Sequence, residues 1–133
     1  MIGPRLRKAR RLLDVQRGLQ RLEEARIAAL QGRKAELSAL QEELLGALNA
    51  EGGPSGLLVD AIVRRLKHLD QEAAGLGEEL KRRAAALQEQ AGRAKFAERR
   101  SRDYEQQHAR ALADKELLEV IERLIGSEDA SLP

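Results

Sequence analysis

The 133-residue sequence contains no cysteine and no tryptophan, a single phenylalanine, a single tyrosine and three prolines. Without cysteine there are no disulfides, and the two histidines, His68 and His108, lie too far apart in sequence to suggest a structural zinc site. Aromatic residues make up 2% of the chain, too little bulky apolar material to fill a thick core. No window approaches the roughly 18 apolar residues of a membrane span. The N-terminus carries Arg5, Arg7, Lys8, Arg10 and Arg11, yet no apolar run follows them as in a signal peptide. A soluble, cytoplasmic protein is the expectation. Chemistry is missing too: there is no glycine-rich phosphate loop after a strand and no nucleophile and base at useful spacing. The neighbours Glu23-Glu24, Glu42-Glu43 and Glu78-Glu79 point in different directions on a helix, which makes them surface charge and not paired acids. The sequence therefore predicts no enzyme, no cofactor, no metal and no small-molecule substrate; His68 and His108 read as solvated.

What the chain does have is charge, 35% of its residues, and aliphatic residues recurring every three or four positions. From Leu57 to Ile125 no proline interrupts that rhythm. Ile62, Leu69 and Leu76 form one line and Leu66, Ala73, Leu80, Leu87 and Ala94 another, together the narrow stripe of a coiled coil. As a single helix this stretch would be roughly 100 Å long at ~1.5 Å per residue, a rod and not a globule. Earlier in the chain, Pro4 suits a first helical turn and the pattern runs from Leu6 to Leu48. Leu12, Val15, Leu19 and Leu22, then Leu30, Leu37, Leu40 and Leu44, are the seam positions read from hydrophobicity. The step from Leu22 to Leu30 is one residue longer than a heptad and predicts local unwinding. Gly18, Gly32 and Gly46 interrupt this helix at ~1 kcal/mol each.

Between the two lies Asn49-Ala50-Glu51-Gly52-Gly53-Pro54-Ser55-Gly56, a break with glycines for a left-handed turn and Ser55 as N-cap. The fold expected is all-α: a long antiparallel two-helix coiled-coil hairpin with a longer C-terminal helix, one domain made of helix 6–48, loop 49–56, helix 57–125 and a frayed tail 126–133. A loop centred near residue 52 places Leu6 near Arg99 and leaves everything after about Arg100 without a partner. A break at Gly92, giving a three-helix bundle, is the alternative.

Charge is unevenly distributed. Residues 1–34 hold ten basic side chains against three acidic, and residues 81–102 eight against two. The hairpin would bring these segments together as a basic collar of Arg5, Arg7, Lys8, Arg10, Arg11, Lys95, Arg99, Arg100 and Arg102. The last twenty residues are acidic, with Leu117, Leu118, Ile121, Leu124 and Ile125 as an aliphatic stripe in need of cover. Phe96 and Tyr104 read as seam fillers sooner than contacts, although Phe96 belongs to the candidate contact set beside the collar. A protein partner fits these features better than nucleic acid, for which interleaved aromatics are missing, or an anionic membrane, for which no free apolar face accompanies the basic residues.

Arg11-Leu12-Leu13-Asp14-Val15 followed by Arg21-Leu22-Glu23-Glu24-Ala25-Arg26 resembles the N-terminal pattern of the stalk proteins of bacterial type III export machines, YscO of injectisomes and FliJ of flagella. Lys95-Phe96-Ala97-Glu98 and Lys115-Glu116-Leu117-Leu118-Glu119 are similar to the injectisome branch. Gly18-Leu19-Gln20 departs from the charged run usual there. The resemblance covers essentially the whole chain. It implies a non-enzymatic coiled coil, similar to the central stalk of rotary ATPases, that contacts a hexameric export ATPase, the export gate protein and export chaperones. It also implies a cytoplasmic location, at most peripheral at the inner membrane through the export apparatus. A generic coiled-coil scaffold, or a nucleic-acid-associated dimer joined through its C-terminal helices, is the alternative.

Overall fold

The structure is a computed structural model that describes residues 3–50 and 52–131, with the backbone alone for 129–131. Two long helices pack against each other: α1, Pro4–Asn49, has 46 residues and α2, Gly56–Ser131, has 76. No strand occurs among the described residues. Gly3 stands at the entry of α1, its carbonyl accepting from the Arg7 amide at 3.1 Å, so Pro4 occupies the first helical position where its missing N–H costs nothing. Gly52 and Gly53 have φ of 80° and 28°, a left-handed region that side chains avoid, and the Gly53 amide donates to the Ala50 carbonyl at 3.1 Å. Ser55 then opens α2 by accepting from the Val59 amide at 2.9 Å. The expected break thus holds, with Glu51 outside the described residues. Gly92 lies within continuous helix, so no third helix forms there. Nor does Gly126 end α2: helix continues to Ser131, because one glycine costs only ~1 kcal/mol when nothing after it competes for the backbone. Leu132 and Pro133, the end of the expected tail, lie outside the described residues.

Packing falls into two compact units, residues 19–90 and residues 1–18 with 91–133. In the first unit, Leu37 and Leu69 are completely buried. Around them Gln20, Glu23, Ile27, Leu30 and Leu44 on α1, and Ile62, Leu66, Ala73, Leu76, Leu80, Arg83 and Leu87 on α2, are covered in strides of three and four. Narrow stripes of this width suit one helix facing one other. Arg33 clamps Glu72 through Nε at 3.0 Å and Nη2 at 2.9 Å while its Nη1 donates to Glu36 at 3.1 Å. Gln41 donates to Asp70 at 2.7 Å, and Arg83 to Glu23 at 3.3 Å. Partners descend along α2 as residues ascend along α1, so the segments of this unit run antiparallel.

The phase of α1 differs from its hydrophobicity. Leu19 and Leu22 are exposed, while Gln20 and Glu23, one position on, are covered. The seam passes from Glu23 to Leu30 in an unbroken heptad, and the eight-residue step expected from Leu22 does not occur in it. Continuity with the fully buried Leu37 fixes the phase, and the local run of leucines yields to it. Glu23 accepts from Arg26 at 2.9 Å and from Arg83 with one oxygen, yet its other oxygen is buried without a partner.

The second unit repeats this phase. Leu6, Ala9, Leu13 and Gln16 are covered on α1, whereas Leu12 and Val15 are exposed. On α2, Ala94, Ala97 and Ser101 are buried, and Tyr104 and His108 are half-buried. Arg10 donates to Glu105 at 2.9 Å, ten positions beyond residue 95, where a loop centred at residue 52 would place its partner. Cover on α2 therefore extends to His108 and not merely to Arg100. From Ala109 to Glu128 every residue is exposed.

Candidate partner-binding surface

Two features of the second unit, residues 1–18 with 91–133, stand out. One is a cleft of about 350 Å³ lined by Arg5, Lys8, Ala9 and Leu12 of α1 and by Arg100 and Tyr104 of α2. Residues three or four apart on a helix share a face, which is why Arg5, Lys8 and Leu12 open on one side together and Arg100 stands over Tyr104. The Arg100 guanidinium lies 5.9 Å from the Tyr104 ring centroid and donates to its hydroxyl at 3.5 Å. That hydrogen bond, then the charge of Arg100 and the more distant charges of Arg5 and Lys8, hold the Tyr104 phenol below its ordinary ionisation range. Positive potential converging on one oxygen marks the cleft as a place for an anion. Neither Arg5 nor Lys8 is paired with a carboxylate among the described residues.

The second feature is the helix from Ala109 to Glu128, which exposes Leu112, Leu117, Leu118, Val120, Ile121, Leu124 and Ile125. These side chains cover more than one helical stripe, a broader apolar arc than the two-helix seam. Acidic side chains at 114, 116, 119, 122 and 128 flank them.

The collar residues expected from sequence divide into two groups. Arg5, Lys8 and Arg100 meet at the cleft, with Arg7, Arg11, Lys95 and Arg99 exposed on the same unit. Arg10 and Arg102 are instead engaged with Glu105 and Glu98, each at 2.9 Å. Phe96, read as a seam filler, is 65% exposed, because it stands one position before buried Ala97 and therefore off the seam. Tyr104 does occupy a seam position while reaching the cleft. Its role as the point where the cations converge was missed from sequence, though Arg100 and Tyr104 are spaced for contact along one helix. His68 is exposed and His108 half-buried. No helix among the described residues is long and apolar enough to cross a membrane. Comparison with known proteins returns no match: no family model, no curated protein and no solved structure is significantly similar to the chain.

Proposed function

We propose that this chain is a non-enzymatic stalk or coupling component of a bacterial type III protein export apparatus. In this reading it is an antiparallel coiled-coil hairpin with a longer C-terminal helix, and it contacts the hexameric export ATPase, the export gate protein and export chaperones from the cytoplasm. The resemblance in sequence motivates it. The observation that carries it is the exposed helix 109–128 continuing from a segment whose neighbouring cations, Arg5, Lys8 and Arg100, are not neutralised by carboxylates among the described residues. A long helix free of its partner suits entry into the opening of a ring, and a basic surface suits acidic residues around it. Contacts dominated by charge are steered quickly and weakened by salt, which favours repeated engagement and release over permanent attachment.

A salt-titrated pulldown with a type III export ATPase tests this. Retention at low salt that is lost on exchanging Arg5, Lys8, Arg99 and Arg100 for Glu supports the stalk. No retention of the unaltered chain, or retention of duplex DNA with a steep salt slope in its place, would overturn it.

A further inference from the structure

We infer that the second unit pairs with a second copy of the chain, antiparallel, the acidic aliphatic segment 114–128 of each copy lying on the basic cleft of the other. The observation behind this is that one side of α2 carries both halves of a complementary surface. Phe96, Leu117 and Leu124 share one heptad position, and Arg100 and Ile121 share the adjoining one, so all five fall along one strip. Leu12, beside Arg100 in the cleft, extends the apolar part of that strip onto α1.

Along the strip the charge changes sign. Residues 93–102 hold five basic side chains against Glu98, and residues 114–128 hold five acidic against Lys115 and Arg123. Two copies laid parallel would set basic on basic and acidic on acidic. Laid antiparallel about a two-fold axis between Tyr104 and Leu117, they set each acidic segment on a basic one and cover both aliphatic stripes. The inward heptad positions of α2 agree in part. Continued past His108, one line of the seam meets Lys115 and Glu122 while the other keeps Ala111, Leu118 and Ile125, so only half of the inward face stays aliphatic. Leu117, Ile121 and Leu124 lie beside it, on the side that bears the cleft.

This pairing rests on reading both surfaces as contact sites, and it does not require an export ATPase. The cysteine-free chain allows a direct test. Full-length Arg100→Cys and Ile121→Cys are mixed and oxidised at low salt, and each is also oxidised alone. The expected result is a cross-link between the two variants that far exceeds either self-cross-link. Sedimentation equilibrium of the unaltered chain should give twice 14.7 kDa, reverting to the monomer at high salt. Exchanging Ile121 and Leu124 for Asp should raise the dissociation constant by about tenfold or more with unchanged helicity, since both side chains are exposed. A monomer at 100 μM concentration, roughly the upper range for a weak specific pair, would overturn the inference, as would cross-linking of Ile121→Cys only to itself. A monomer that still binds the export ATPase would reject the dimer while leaving the stalk intact.

Discussion

Leu12 and Leu13 are neighbours of identical type on opposite sides of a packing decision, and replacing each by alanine tests it. Leu13 is 8% exposed and Leu12 48%. Full burial of a leucine side chain contributes ~1.5–3 kcal/mol, and truncation adds a term for any cavity that does not collapse. A seam between two helices is open to solvent on both flanks and relaxes readily, so the cavity term is small and Leu13→Ala should cost about 2 kcal/mol. Fraying from the nearby helix end limits the loss further, because local opening competes with global unfolding. Leu12→Ala forfeits about half of the transfer term, leaves no cavity and keeps helix propensity nearly constant, for a cost of about 1 kcal/mol. Urea unfolding followed by circular dichroism at 222 nm, with amide exchange over residues 6–16 to catch local opening, measures both. An equal cost, or a larger one for Leu12, would mean that the hydrophobic stripe is the true seam and that α1 is turned from the phase described.

Other consequences follow from particular side chains. Glu23 occupies a seam position with one buried oxygen unpaired, so Glu23→Leu should raise stability by about 1 kcal/mol in urea melts, whereas a loss would mean that its pairing with Arg83 outweighs the desolvation. A methyl group added at Gly32 meets open space inside a helix, so Gly32→Ala should stabilise by about 0.5–1 kcal/mol, while Gly52→Ala, at φ 80°, should destabilise. Tyr104 is the only tyrosine and no tryptophan interferes, so its ionisation can be followed in the ultraviolet. Its midpoint should lie below that of a free tyrosine and move up when Arg100 is replaced by Leu. Because folding lowers this pKa, the associated stability is present above the unfolded value and is lost as pH falls through the folded one; a midpoint indifferent to Arg100 would remove the cause assigned here.

Much of the architecture was legible in the residues themselves. The loop announced itself through Gly52, Gly53, Pro54 and Ser55, each with a local conformational reason. The α2 seam was legible because Ile62, Leu66, Leu69, Leu76, Leu80 and Leu87 hold apolar residues at the packed spacing. The N-terminal half of α1 was not, since its seam carries Gln16, Gln20 and Glu23 while a more apolar stripe runs one residue away. Phase there is set by the partner helix, which periodicity within α1 does not encode. The extent of cover was missed for a related reason. Where α2 loses its partner depends on axial stagger, fixed by pairs such as Arg10 with Glu105 and not by the midpoint of the loop. As for the candidate surface, its charges were visible in the sequence. Which of them were already engaged, as Arg10 and Arg102 are, required the pairing geometry.

The reading of this chain as a coupling component depends on where cover on α2 stops, and amide hydrogen exchange measures that directly. With the chain dilute and the salt high enough to prevent self-association, amides from Ala94 to His108 should be protected and those from Ala109 to Glu128 should exchange far faster. Equal protection across both segments would show that something within the chain packs on the terminal helix, and the account of a free binding helix would be wrong.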